Sequence, residues 1–133
     1  MHQYNTVCAS LPSQHAAIEA LRNNRFVPDE MNAAYKVRRD YVLKKLTEMG
    51  LEVVKPTGAF YIFPSIEKYG LSSFEFATRL LKEGGVAAVP GSAFTELGEG
   101  FLRISYAYAM PTLEQAMERM AEWLETMNVT ERG

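Results

Sequence analysis

Two long segments with the apolar periodicity of a helix flank a middle section of short apolar runs. This order limits the possible folds more than any other feature. Apolar residues recur at spacings of three, four and seven across residues 29–49, and again across residues 112–127. Between these repeats the apolar runs are short and end at proline or glycine, as strands joined by turns do. The sequence therefore predicts an α+β domain.

The first long helix is predicted over residues 29–49. Pro28 stands in its first turn, Asp29 and Glu30 favour the positive end of the helix dipole, and Gly50 suits the left-handed position after the last turn. At 1.5 Å per residue this helix is about 30 Å long, so we expect a spine for the domain. Its face is basic, with Lys36, Arg38, Arg39, Lys44 and Lys45. A nucleic-acid helix would look similar, but the net charge of −2 favours a solvated or interdomain face.

Two short strands are predicted next, over residues 51–55 and 59–63, paired as an antiparallel hairpin around the turn Pro56-Thr57-Gly58. A further helix follows, capped by Ser72 or Ser73 and ended by Gly84-Gly85. Its predicted apolar face contains Phe74, Ala77 and Leu81, with Phe76 and Leu80 beside it.

Two further strands are predicted over residues 86–89 and 101–106. The second alternates, so that Leu102, Ile104 and Tyr106 share one face and Arg103 lies on the other. The last helix is predicted to open at Pro111-Thr112, with capping-box spacing from Thr112 to Gln115. Its apolar stripe comprises Leu113, Ala116, Met117, Met120, Trp123, Leu124 and Met127. The expected fold is a small, mostly antiparallel sheet of three to four strands, covered on one side by helices, with the long N-terminal spine helix.

Composition and motifs exclude several classes of function. The chain has 133 residues, enough for one domain, and its single cysteine, Cys8, permits no internal disulfide and is predicted to be an ordinary packed thiol. No His, Cys, Asp and Glu group has metal-ligand spacing, and no phosphate-binding glycine motif occurs. No secretory signal or membrane-length apolar run is present. A cytoplasmic protein that binds neither membrane nor nucleic acid is expected.

Arg103 is the residue with the clearest chemical potential. It is a lone charge on a predicted strand, and the Pro90-Gly91 turn and a glycine-containing loop at residues 98–100 precede it. A guanidinium fork matches both oxygens of a carboxylate or phosphate and stays charged at physiological pH. The residues alone leave a structural or solvated role for Arg103 open beside a ligand-binding one.

Four segments in order resemble the C-terminal part of class I aminotransferases, the fold-type I enzymes that use pyridoxal phosphate. They are AAYKVRRDYVLKKLTEMG (33–50), PTGAFYIFP (56–64), FEFATRLLKEGGVAAVPGSAF (74–94) and GEGFLRISYA (98–107). The opening QYNTVCASLPSQHAAIEAL (3–21) is similar to the segment after the cofactor lysine in those enzymes. The likeness is strongest to the branch acting on aspartate or aromatic amino acids. One departure is Thr95, where glycine is common.

The resemblance implies roles for a few residues. Arg103 corresponds to the arginine that holds the substrate α-carboxylate, and Gly58, Ala59 and Tyr61 resemble residues that come near the substrate. No catalytic, cofactor-binding or metal-binding residue is expected in this chain. The domain organisation implied is a remnant of the large domain and a linker over residues 1–27, the small domain over 28–127, and a frayed tail over 128–133.

The resemblance also implies partners that this chain lacks. The lysine that binds pyridoxal phosphate, the acid at the pyridine nitrogen and the phosphate-binding set belong upstream of Met1 in such enzymes. We therefore expect a chain that is inactive alone and that works with a large cofactor-binding domain in a homodimeric parent, on an amino acid and a 2-oxo acid. Two alternatives stay open: the ligand-binding module of an aminotransferase-like transcriptional regulator, and part of a pyridoxal-phosphate-dependent carbon–sulfur lyase.

Overall fold

The computed structural model describes residues 8–130, and the side chains of residues 8–127. Four α-helices and three short strands occur in this part of the chain. The helices are α1 (Leu11–Asn23), α2 (Val27–Glu48), α3 (Ser73–Glu83) and α4 (Met110–Thr130). The strands are β1 (Tyr61–Ile62), β2 (Val89–Pro90) and β3 (Leu102–Ser105). The chain divides into two compact units, Met1–Ala34 and Tyr35–Gly133.

The first unit contains α1 and the beginning of α2. Ser10 caps α1 by accepting a 3.4 Å hydrogen bond from the Ser13 amide, and Pro12 lies in the first turn. No residue of α1 is buried. Cys8 is exposed, so the prediction of a packed thiol was wrong; it precedes a helix that buries none of its residues.

The second unit has its core between α2, α3, α4 and the sheet. From α2, Val42 and Leu46 are fully buried, and Gly50 ends this region of the chain at φ +72°, as predicted. From α4, the predicted apolar stripe supplies Met117, Met120 and Trp123 to the core. Burying side chains of this size stabilises the fold by about 1.5–3 kcal/mol each.

The capping predictions have mixed outcomes. Ser72 caps α3 and accepts a 3.2 Å hydrogen bond from the Glu75 amide, as the capping-box spacing predicts. Thr112 does not cap α4, because the helix already begins at Met110 and the Thr112 amide donates to the Ala109 carbonyl over 3.1 Å.

The buried face of α3 also differs from the prediction. Phe76, Ala77 and Leu80 are buried, whereas Phe74 and Leu81 are exposed. The Phe76 ring meets the Trp123 indole edge-on at 5.0 Å between centroids, so packing against α4 selects the face.

The sheet has the order β1-β3-β2 and is antiparallel throughout. The predicted hairpin of residues 51–55 and 59–63 is reduced to one bridge, between Val53 and Pro64. Ala59 has φ +58°, a left-handed conformation that interrupts an extended strand, and β1 therefore starts only at Tyr61. Its partner is β3, with Tyr61 opposite Ser105. The strand predicted over 86–89 is likewise shorter, since only Val89 and Pro90 pair with β3.

Candidate functional site

Arg103 lies on β3, the central strand of the sheet, directly opposite Val89 of β2. Its neighbours Leu102 and Ile104 are buried in the core, which confirms the predicted alternation. Because successive side chains of a strand point to opposite faces, the burial of these two residues turns Arg103 away from the core. Arg103 is half-buried.

The guanidinium of Arg103 lies against two aromatic rings. Its Cζ atom is 4.4 Å from the centroid of the Tyr61 ring and 4.4 Å from the centroid of the Phe94 ring. Such contacts are worth about 0.5–2 kcal/mol each, depending on exposure, and they restrain the plane of the guanidinium. Within residues 8–130 the guanidinium makes no hydrogen bond and no ion pair. Its five N–H donors are therefore available for a planar anion such as a carboxylate.

Phe94 stands on a loop that closes on itself at two glycines. Gly91 is buried, and a Cβ atom added to Gly91 or to Gly98 would collide with the carbonyl oxygen of the other residue. The Gly91 amide also donates a 2.8 Å hydrogen bond to the Phe101 carbonyl, next to β3. Only glycine permits this close crossing of two backbone segments. We call residues 91–98, which carry Phe94, the crossed loop.

The carboxylate of Glu99 ties the crossed loop to the start of α3. It accepts a 2.6 Å hydrogen bond from the Ser73 amide and a 3.0 Å hydrogen bond from the Ser73 hydroxyl. The Ser73 hydroxyl is also 2.8 Å from the Ser92 hydroxyl, inside the crossed loop. The hydrogen bonds from the Ser73 amide and then from its hydroxyl lower the pKa of Glu99 below its ordinary value. A carboxylate at a helix N-terminus also interacts favourably with the helix dipole.

Gly58 and Ala59 belong to the turn that leads into β1. The carbonyl of Ala59 accepts a 2.9 Å hydrogen bond from the hydroxyl of Tyr106, and Tyr106 is almost fully buried. Burial raises the pKa of Tyr106, which keeps its hydroxyl protonated as a donor. Gly58 is exposed, and a Cβ atom added there would meet nothing within 4 Å. Of the three weaker candidates, the structure brings Tyr61 to Arg103, while Gly58 and Ala59 form the turn before Tyr61.

A cavity of about 450 Å³ lies beside Arg103. Residues 85–89, the end of β3 and the first turns of α4 form its walls, and the polar residues among them include Ser105, Tyr108 and Thr112. No lysine of the described part of the chain lines it. This volume lies within the range of small-molecule sites, about 300–1,000 Å³.

The lysines lie away from this cavity, and four of them have polar partners. Lys55 pairs with Asp40 at 3.3 Å, and both Lys44 and Lys45 pair with Glu48. Lys68 donates a 2.7 Å hydrogen bond to the Gly50 carbonyl at the end of α2. Residues 8–130 contain no cluster of His, Cys, Asp and Glu suited to a metal ion. The same residues include no helix that is long and apolar enough to cross a membrane.

The sequence over residues 2–120 matches the family described as aminotransferase class I and II. This chain belongs to the class I and II aminotransferases. The resemblance to class I enzymes that the four ordered segments indicate is thereby confirmed.

Individual aminotransferases similar to this chain carry different substrate names. A probable N-acetyl-LL-diaminopimelate aminotransferase of Bacillus subtilis (strain 168) is 52% identical over 120 residues, which is 90% of this chain and 30% of that protein. An aspartate aminotransferase of Pyrococcus abyssi is 50% identical over 129 residues, 96% of this chain and 33% of that protein. The crystal structure of an aromatic aminotransferase from Pyrococcus horikoshii OT3 superposes with a TM-score of 0.87 at 50% identity, covering 95% of this chain and 34% of that one. The chain thus spans about a third of the length of these aminotransferases.

Sequence reasoning missed two residues that shape the surroundings of Arg103: Phe94, which contacts its guanidinium, and Glu99, which holds Ser73. In the sequence, Phe94 stands out only as the end of the PGSAF segment, and Glu99 only as part of a flexible glycine loop. The signal for Phe94 is a large apolar residue within a polar loop nine positions before the arginine. For Glu99 no local signal exists, because its partner Ser73 is 26 positions away in the sequence.

Proposed function

We propose that this chain is the C-terminal, carboxylate-binding domain of a pyridoxal-phosphate-dependent aminotransferase, which transfers an amino group between an amino acid and a 2-oxo acid. The observation that supports this most directly is the unpaired guanidinium of Arg103 against the rings of Tyr61 and Phe94, in a member of this family. A bidentate pair with the α-carboxylate would fix two points of the substrate and orient its Cα–H bond for reaction.

The cofactor would come from the rest of the protein. Pyridoxal phosphate supplies the electron sink that makes breaking the Cα–H bond of an amino acid feasible. No lysine among the described residues lines the cavity beside Arg103, so the residues there do not fit a covalent attachment of the cofactor. We infer that the 133-residue chain alone does not transaminate. A visible absorption band that saturates at one pyridoxal phosphate per chain, and that is lost when one lysine is replaced, would contradict this.

Tyr61, Gly58 and Ala59 take supporting roles in this proposal. The Tyr61 ring lies 4.4 Å from Arg103 Cζ and would restrain the guanidinium, while Gly58 and Ala59 would form the turn that leads into the strand of Tyr61. The large cofactor-binding domain and a second subunit are the expected protein partners. The named substrates of the similar aminotransferases differ, so the proposal extends to the α-amino acid class and not to one side chain.

The test is the variant Arg103→Lys in the full-length protein that contains these residues. Lysine keeps the charge but loses the planar fork, so the affinity for an L-amino acid should fall roughly ten- to a hundredfold, with cofactor binding retained. The matched control is Arg38→Lys, because Arg38 also stacks on a tyrosine, 5.5 Å from the Tyr35 ring, but does not line the cavity. Unchanged amino-acid affinity in Arg103→Lys would contradict the assignment.

A further inference from the structure

The environment of Phe94 is not that of a core residue. Its side chain is 52% exposed, and it lies on the crossed loop rather than on a helix or strand. Because about half of this apolar ring remains exposed to solvent, its burial contributes little to the stability of the fold. In the described part of the chain, the Phe94 ring contacts the guanidinium of Arg103, with 4.4 Å between the ring centroid and Arg103 Cζ.

The crossed loop holds this ring in one place. The Phe94 amide donates a 3.0 Å hydrogen bond to the Gly91 carbonyl. The Gly91 amide in turn donates a hydrogen bond to the carbonyl of Phe101, which lies beside β3. Two residues before Phe94, the Ser92 hydroxyl lies 2.8 Å from Ser73, which the Glu99 carboxylate also holds. The position of Phe94 is thus determined from two sides, by the strand that carries Arg103 and by the start of α3.

A stacked ring changes what a guanidinium can bind. Arg103 Cζ lies 4.4 Å from the centroid of the Phe94 ring. A planar guanidinium that stacks on an aromatic face keeps its N–H edge open, so it meets a ligand edge-on. Edge-on approach is the geometry of bidentate pairing with a planar carboxylate. An arginine without such a restraint would rotate about its flexible side chain and lose entropy when a ligand binds.

We propose that Phe94 is a positioning residue for substrate carboxylate recognition, holding the guanidinium of Arg103 in the plane that a bidentate carboxylate requires. This inference rests on the proposed function of Arg103. It assigns to the Phe94 ring a role in affinity for the α-carboxylate, separate from any role in the transfer of the amino group.

The test compares Phe94→Leu and Phe94→Tyr in the full-length, cofactor-loaded protein. The probes are L-aspartate and L-phenylalanine, each against its α-carboxamide, which lacks the carboxylate charge. Half-reaction rates at increasing probe concentration give the apparent Kd and the limiting rate. Leu97→Ala is the matched control, since Leu97 lies on the same loop, is 90% exposed and does not stack on Arg103.

Phe94→Leu should raise the apparent Kd of the amino acids about fivefold and leave that of the carboxamides and the limiting rate within about twofold. Phe94→Tyr keeps the ring and should restore the affinity, and Leu97→Ala should match the unmodified protein.

An equal loss for acid and carboxamide would show a merely structural role and overturn the inference. If Arg103→Lys weakens amino-acid binding and Phe94→Leu does not, this inference alone fails. If Arg103→Lys has no effect on amino-acid affinity, the proposed function fails.

Discussion

The hydroxyl of Tyr106 donates a 2.9 Å hydrogen bond to the carbonyl of Ala59, and this bond joins the end of the central strand to the turn before β1. The Tyr106 amide reinforces the connection by donating to the Phe60 carbonyl, also over 2.9 Å. Ala59 adopts φ +58°, which costs a non-glycine residue about 1–2 kcal/mol. The buried tyrosine therefore stabilises a backbone conformation that the local sequence does not favour.

Replacing Tyr106 with phenylalanine should show the value of this contact. The ring and its packing remain, but the hydrogen bond to Ala59 is lost, so the free energy of unfolding should fall by about 1 kcal/mol. The measurement is urea denaturation of the 133-residue chain followed by tryptophan fluorescence, which reports on Trp123. Tyr108→Phe is the control, because Tyr108 is exposed and makes no hydrogen bond within residues 8–130. Equal stability of the two variants would show that the bond to Ala59 contributes nothing.

Glu99 should make the stability of the domain depend on pH in the acidic range. Its pKa in the folded state is lowered, so the folded protein binds fewer protons on this group than the unfolded chain does near the ordinary glutamate pKa of about 4.3. The stabilisation is therefore fully present above that value and is lost as the pH falls through the lowered pKa. Asp40, Glu48 and Glu83, whose pKa values are also lowered, contribute to the same dependence.

Glu99→Gln should reduce this acid dependence, as measured by the free energy of unfolding at a series of pH values between about 3 and 7. Glu96→Gln is the matched control, since Glu96 belongs to the crossed loop but its side chain makes no hydrogen bond in the described part of the chain. Curves of the same shape for Glu99→Gln and the unmodified protein would rule out a stabilising role for the Ser73 hydrogen bonds.

The crossing of Gly91 and Gly98 should not tolerate a side chain. Gly91→Ala places a Cβ atom against the carbonyl oxygens of Gly98 and Phe101, so the backbone must separate, at a cost of about 3 kcal/mol. Gly58→Ala is the comparison, because its added Cβ meets nothing, and its stability should change by no more than about 0.5 kcal/mol. Thermal unfolding of both variants provides the measurement. A Gly91→Ala variant as stable as Gly58→Ala would refute the proposed close packing of the crossed loop.

Parts of the fold and of the candidate site could be predicted because their signals are local. The stripe of α4 that includes Met117 and Met120 follows the helical period, and the burial of Leu102 and Ile104 on either side of Arg103 follows the period of a strand. The predicted hairpin was too long, because Ala59 adopts a left-handed conformation that an alanine in the sequence does not indicate.

Residues that are neighbours along the chain, together with ordered motifs, were enough to establish the helices, the alternation of β3, the α+β class and membership of the aminotransferases. The contacts of Tyr61 and Phe94 with the guanidinium of Arg103, and of Glu99 with Ser73, arise only in the folded chain. These contacts join segments that are distant in sequence, and their geometry depends on the pairing of β1 with β3 and on the crossing at Gly91 and Gly98. The periodicity of the sequence does not predict these contacts, because they depend on how the whole core packs.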